Sequence, residues 1–398
     1  MLESILSGYR VIDLTQNVAG PFCTQILGDL GAEIIKVERP GTGDDSRSWV
    51  PPGSDSVAPM FLSLNRNKKS LCVDIGTEDG QSIIQRLGTT ADILVHSMKP
   101  GSAEARGLGF TDLQRHNPKL IYCAISAFGE TGPLRALPGY DPVMQAFTGL
   151  MSMTGNEGDD PSRVSVSLID MGTGMWATIG ILAACLKRHQ TGKGVRVQAS
   201  LLDTGLSWMS TFIISYLKSG VVPRKMGTAM ANAAPYELFR SADGHVFIAA
   251  CNDTLFTRVC KALGCTELLA DPRYADNPSR LLNRQALHAA IEPHTRKRTS
   301  SANVAALRQA GAPCSEMNTL PQALDHQQVH ATAMISLLDS EGHPASEPMV
   351  ELPLRLDGAR SRAKNAPPGL GSHTDAVLLA AGYAPAEIAG LRGRAIIG

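Results

Sequence analysis

What limits this chain most is the alternation of short apolar runs with helix-like stretches between Tyr9 and Ser126. Tyr9–Leu14, Ala32–Glu38, Ser70–Ile75, Asp92–His96 and Leu120–Ser126 read as strands. Helices are expected at Pro21–Leu30, at Glu78–Leu87 and from about Thr111. Pro21 stands where a first-turn proline is tolerated, and Gly31 ends the first helix. Strands that alternate with helices through short loops give an α/β fold with a largely parallel sheet, and such sheets bind ligands at the carboxyl ends of their strands. The first strand–helix–strand unit ends in Glu38, as a dinucleotide-binding unit would. Its loop, Gln16–Pro21, has one glycine instead of GxGxxG, which argues against a nicotinamide or flavin dinucleotide.

The second informative stretch is Ser162–Gly194. Val164, Val166 and Leu168 alternate with Ser165, Ser167 and Ile169, which reads as a buried strand closed by Asp170. Gly172 and Gly174 follow, and Met175–Cys185 is apolar enough for a helix buried on most sides. Lys187, Arg188 and His189 place cations at the negative end of that helix. An Asp just before a helix is most often its N-cap. Thr173 can cap equally well, which leaves Asp170 available for chemistry, and position alone does not choose.

Beyond Gly194 a strand is expected at Val195–Ala199 and a long helix from Leu201 to Lys218. The character changes near Gly220. A hairpin, Tyr236–Arg240 with His245–Ala250, and charged helices at Asp253–Leu263 and Arg280–Lys297 form a second domain. The expected division is residues 1–200 (first part of a large domain), 201–224 (linker helix), 225–326 (small domain) and 327–398 (return to the large domain).

The charge balance, 37 basic against 37 acidic residues, provides no excess of cations for nucleic acid. Eight scattered cysteines without a CxxC pair read as reduced thiols of a cytoplasmic protein. Met1–Gly8 lacks the pattern of a secretory signal, and the Met175–Cys185 run is too short for a bilayer span, so no membrane partner is expected. No GxSxG, HExxH or GxxxxGK[ST] is present. His326 and His330 have no carboxylate motif beside them and read as surface residues, so no metal site is expected.

Taken together, the motifs resemble the class III CoA-transferases along the whole chain. They run from Val11–Thr15 with Ala19-Gly20-Pro21, through Leu30–Glu38, Asn65–Ser70 and Gly139-Tyr140-Asp141-Pro142, to Asp170-x-x-x-Gly174. Arg188-x-x-Thr191-Gly192-Lys193-Gly194, Phe239-Arg240-x-x-Asp243-Gly244 and Pro367-Pro368-x-Leu370-Gly371-x-His373-Thr374 complete the set. The resemblance implies a Rossmann-like large domain built from both chain ends, an inserted smaller α+β domain, and an interlocked homodimer. It implies that Asp170 attacks an acyl-CoA thioester. The products would be an aspartyl anhydride, then an aspartyl-CoA thioester, and the CoA passes on to a carboxylic acid. An ionised carboxylate needs no general base for this, and the N–H groups of Gly172 and Gly174 are candidates for an oxyanion site. Coenzyme A is then a substrate, with no tightly bound cofactor. The implied CoA-binding residues are Val18, Ala19, Arg39, Val73, Asp74, Ile75, Gly76, Ser97, Met98, Lys99, Arg106, Gly139 and Tyr140. Ser97-Met98-Lys99 replaces the family's frequent Asn-Phe-Arg. The loop Gly227–Pro235 has one glycine where formyl-CoA transferase is glycine-rich, which points to a larger acyl group, a dicarboxylate such as succinate. Arg224, Lys225 or Arg240 would receive its distal carboxylate. Two alternatives stay open: an α-methylacyl-CoA racemase, whose histidine is replaced here by Tyr140, and a non-catalytic CoA-binding partner subunit.

Overall fold

A computed structural model describes residues 2–53, 58–340 and 343–398. The chain divides into two compact units. The larger holds Met1–Leu150, Val164–Ser215 and Thr332–Gly398, and the smaller Met151–Arg163 and Tyr216–Ala331.

The larger unit is built on six parallel strands: β1 (Arg10–Leu14), β2 (Glu33–Glu38), β3 (Lys68–Cys72), β4 (Ile93–His96), β5 (Ile121–Ser126) and β6 (Arg196–Ser200). Their order is β3-β2-β1-β4-β5-β6. Side chains alternate across the sheet, so each strand feeds two cores. Val11, Ile34, Ile93 and Ile121 face a layer that contains Cys23 and Leu27 of helix α1 (Ala19–Asp29). Ile12, Ile35, Leu94 and Tyr122 face the other layer, with Ile83, Ile84 and Leu87 of helix α2 (Glu78–Gly88). The C-terminal segment completes this second layer. Val377 and Leu378 enter the core, the His373 N–H bonds the Ser70 carbonyl at 3.0 Å, and Val73 bridges Ile397.

The region after β5 departs from the period-two reading. Residues 161–167 form no strand, and Val166 is 59% exposed, because no neighbouring strand offers Val164–Ile169 a partner. Helix α3 (Asp141–Phe147) precedes the segment, and helix α4 runs from Leu168 to Thr191, 24 residues instead of the shorter Met175–Cys185. By length and apolar content α4 would span a bilayer. Here it packs on α1 and on the sheet, burying Ala177, Ile181 and Ala184 in the core of the larger unit. Gly192 at φ +71° ends it, as the glycine after Thr191 suggests. The helix expected over Leu201–Lys218 breaks at Met209 into α5 (Leu201–Trp208) and α6 (Ser210–Ser219).

The smaller unit has an antiparallel sheet, β7 (Tyr236–Arg240), β8 (His245–Ala249) and β9 (Cys314–Glu316), in that order. Helices Asp253–Leu263, Arg284–Thr295 and Ser300–Gln309 cover it, with Phe239, Val246, Ile248, Val259 and Ile291 in its core.

Candidate active site

Strands β1 and β4 are neighbours, yet the chain leaves β1 toward β2 and leaves β4 toward β5. The loops that follow them diverge, and a crevice opens at the carboxyl ends of the two strands. An open cleft of about 330 Å³ lies there, lined by Gln16–Gly20 after β1, Ser97–Pro100 after β4 and Ile125–Ala127 at the end of β5. Leu137–Tyr140, Arg135, Asp45, Leu201 and Asp170 complete the wall.

The first loop is fixed from beneath by buried charge. Lys36 Nζ donates to the Thr15 carbonyl (3.0 Å) and to Asp44 (2.8 Å), and both side chains of that ion pair are fully enclosed. Lys68 Nζ donates to the Pro21 carbonyl (2.9 Å), Asn65 (3.0 Å) and Asp13 (3.2 Å). Burial alone would push the Asp13 carboxyl up, but the Lys68 and Lys36 ammonium groups outweigh it and hold Asp13 below the usual carboxylate range. Burial draws Lys68 down to about 8, against the pull of Asp13. Asn17 turns the loop at φ +69°, a region Asn adopts more readily than most residues. Its buried Oδ1 has no partner among the described residues, which leaves an acceptor in the cleft wall. The second loop is tied to the first by the Gln16 N–H to Ser97 Oγ bond (3.1 Å). Beneath it, the Met98 N–H donates to His96 Nδ1 (3.2 Å), and burial lowers the His96 pKa to about 4, so the imidazole is neutral.

Asp170 is the third residue of α4, inside the helix and not at the end of a strand. It is 8% exposed and lines the cleft, and the backbone N–H of Asp141 lies toward its carboxylate. The N-cap reading fails for a specific reason: another residue caps the helix. Asp141 Oδ2 accepts the N–H of Ile169 (2.7 Å) and of Asp170 (3.1 Å), and Gln145 Nε2 donates to Asp141 Oδ1. Burial, and then the neighbouring Asp141 carboxylate, push the Asp170 carboxyl up to about 7. Asp170 is therefore about half protonated near neutrality, where the sequence reading has it fully ionised. Nothing local marks Asp141 as the cap of α4, since it opens its own short helix and lies 28 residues before Ile169.

Gly172 and Gly174 are the fifth and seventh residues of α4, past the four free N–H groups of a helix start, so the fold does not leave them open as the oxyanion donors the sequence reading offers. Both are buried within α4, and their missing side chains admit neighbouring elements. A Cβ on Gly174 would lie 2.5 Å from the Ala19 carbonyl oxygen of α1, and one on Gly172 2.8 Å from the Trp208 ring of α5.

Of the implied CoA-binding residues, Val18, Ala19, Ser97, Met98, Lys99, Gly139 and Tyr140 come together in the cleft wall with Asp170. Six lie outside that wall. Arg39 pairs with Asp45 at the rim and donates to the Gly43 carbonyl (3.2 Å), while Arg106 bonds the Ser102 carbonyl (2.8 Å). Val73 is buried at the end of β3, the Asp74 N–H bonds the Ile396 carbonyl (2.8 Å), and Asp74 in turn accepts from the Gly76 N–H (2.8 Å); Ile75 packs against the same core. Arg135, which sequence reasoning passed over, lines the cleft with Lys99, and neither has an ion-pair partner among the described residues. In the smaller unit Arg224 pairs with Glu157 (3.2 Å), Lys225 donates to the Asp159 carbonyl, and Arg240 is exposed. No cluster of metal-ligating side chains occurs among the described residues.

Residues 6–374 match the family described as CoA-transferase family III. The chain is 36% identical over 376 residues to a mouse protein named succinyl-CoA:glutarate CoA-transferase, covering 94% of this chain and 85% of that one. A succinate–glutarate CoA-transferase from Agrobacterium fabrum is 34% identical over 379 residues, 94% of each chain. A crystal structure of a CAIB/BAIF family protein from Brucella suis superimposes with a TM-score of 0.84 at 35% identity, covering 94% of this chain and 99% of that one. A parallel sheet with its cleft at the switch point, a buried aspartate in that cleft and likeness along nearly the whole length converge: this chain belongs to CoA-transferase family III and is a CoA-transferase.

Proposed function

We propose that the enzyme moves coenzyme A between short dicarboxylic acids, with a succinyl-CoA-like thioester as donor, and that Asp170 is the residue acylated on the way. One observation carries the mechanism: Asp170 lines the cleft while another residue, Asp141, caps its helix, so its carboxylate is not committed to the helix end.

The Asp170 carboxylate attacks the thioester carbonyl carbon, the C–S bond breaks, and the electron pair leaves on the CoA thiolate. The thiolate then attacks the aspartyl carbonyl of the mixed anhydride. An aspartyl-CoA thioester forms and the donor acid departs as its carboxylate. The acceptor carboxylate repeats the two steps in reverse. Each step exchanges one activated acyl group for another of similar energy, so no external energy source is needed. Lys99 and Arg135 supply unpaired positive charge for the CoA phosphates, and the free Asn17 Oδ1 suits an amide N–H of the pantetheine arm. Arg39, Arg106 and Val73–Gly76 fit an adenosine end that extends past the cleft. The dicarboxylate reading is supported by the two relatives named for succinyl, succinate and glutarate substrates. Racemisation through a His/Asp pair is disfavoured, since no histidine among the described residues lines the cleft.

We also read the protein as a homodimer. On α4, Met175, Trp176, Ile179 and Leu186 lie at helical spacing and are 48, 44, 52 and 70% exposed. Exposed apolar surface of that kind marks an association site. The test of the catalytic reading is direct. With succinyl-CoA and glutarate, Asp170→Ala is expected to lose transferase activity by a factor on the order of 10³ or more while keeping its fold by circular dichroism. Borohydride or hydroxylamine added to the wild type after acyl-CoA should mark the peptide that contains Asp170. Normal turnover by Asp170→Ala would overturn the mechanism.

A further inference from the structure

Asp141 is a buried, ionisable residue that the transfer steps above do not consume. It is 1% exposed, and three N–H donors converge on it: the backbone amides of Ile169 and Asp170 on Oδ2 and the Gln145 amide on Oδ1. A carboxylate accepts all three. Gln145 is also committed, since its Oε1 accepts the Val164 N–H at 2.8 Å. The side chain that caps α4 is thereby locked in place with its charge against the residue to be acylated. Other ionisable groups occur on the packed elements and in the cleft: Asp29 on α1, Asp203 on α5, Arg196 on β6, and Asp45, Lys99, Arg135 and Tyr140 in the wall. Asp141 is the charge that acts on Asp170.

We propose that Asp141 is a positioning residue of the transfer: it caps the turn that carries Asp170 and sets a fixed negative charge beside it, which favours the acylated forms of Asp170 over the free carboxylate. The inference rests on Asp170 being the acylated residue. Its logic is charge conservation. When the carboxylate attacks, the negative charge of position 170 leaves on the CoA thiolate, and the anhydride that remains is neutral. When the thiolate attacks the aspartyl carbonyl, the charge leaves on the donor carboxylate, and the aspartyl thioester is neutral too. Both covalent states escape the repulsion from Asp141 that the free carboxylate bears. The cap has a second effect. The first-turn N–H groups of α4 would otherwise stabilise the Asp170 carboxylate and blunt it as a nucleophile, and Asp141 occupies two of them.

The experiment uses the full-length enzyme labelled with [γ-¹³C]aspartate as wild type, Asp141→Asn and Asp170→Asn. Asn keeps an acceptor oxygen for the helix amides and removes the charge. In Asp141→Asn the Asp170 midpoint is expected to fall by about one pH unit or more, together with the acid limb of kcat/KM. The fraction of Asp170 trapped by hydroxylamine with succinyl-CoA alone should drop several-fold, with KM for the thioester held within about two-fold. An unmoved midpoint and acid limb would leave Asp141 a structural cap and sink the inference. If Asp141→Asn does not fold, the wild type provides the second reading: with a fixed carboxylate beside it, the Asp170 ¹³C midpoint must lie well above that of an ordinary aspartate. An Asp170 midpoint at the ordinary aspartate value is equally fatal. An Asp170→Asn enzyme with normal turnover would instead remove the transfer reading itself, which separates the two failures.

Discussion

At the scale of the residue, the decisive quantity is the protonation state of Asp170. The folded protein holds this proton up to about pH 7, whereas an ordinary aspartate releases it near 3.8. Only the ionised form attacks a thioester, so kcat/KM is expected to fall tenfold per pH unit below about 7 and to level off above it. A stopped assay across pH 5–9 reads this limb, and a limb near pH 4 would contradict the burial described here. Stability follows the opposite course. Between the two midpoints the folded state binds the proton and the unfolded chain does not, so stability declines as pH rises through this window and stays low above it. Asp170→Asn should therefore melt higher than wild type at pH 8, by up to roughly 4 kcal/mol in stability, and close to wild type at pH 4. The motif around Asp170 pointed to the nucleophile role proposed above. Its shifted pKa was not legible, because that comes first from burial in the folded cleft and then from Asp141, which no local pattern ties to α4.

At the scale of the element, two close approaches hold the cleft together. Helices α1 and α4 meet where Gly174 faces the Ala19 carbonyl, and no β-carbon fits there. Gly174→Ala is expected to cost about 1–3 kcal/mol in urea unfolding and to disturb the loop from which α1 starts. The second is the buried pair beneath that loop. Lys68→Met strips Asp13 of one of its two buried ammonium neighbours and frees the Pro21 carbonyl, so a loss of about 3–5 kcal/mol is expected. A Lys68→Met protein as stable as wild type would show that the loop is held by packing alone. The strands β1 to β6 were readable because each is a short apolar run between turn signals. Val164–Ile169 was misread for the same reason: its alternation looks like a strand, while the cap at Ile169 and Asp170 commits the chain to a helix from Leu168 onward.

At the scale of the whole molecule, the exposed stripe on α4 leads to a prediction about assembly. Ile179→Glu places a charge in the middle of Met175, Trp176 and Leu186 and should shift the protein from dimer toward monomer in sedimentation equilibrium. A wild-type protein that is monomeric at micromolar concentration would rule out the dimer reading. By itself the sequence determined the class of sheet, because hydrophobic period and turn residues act over a few residues; the resemblance carried by its motifs implied the return of the C-terminal segment to the larger unit and pointed to Asp170 as the proposed nucleophile. Only the tertiary structure decided that Asp141 caps the helix of Asp170, that Gly172 and Gly174 are contact points and not oxyanion donors, and that Arg135 joins Lys99 in the cleft. Those relations join residues far apart along the chain, and burial, charge coupling and close approach exist only once the fold has brought them together.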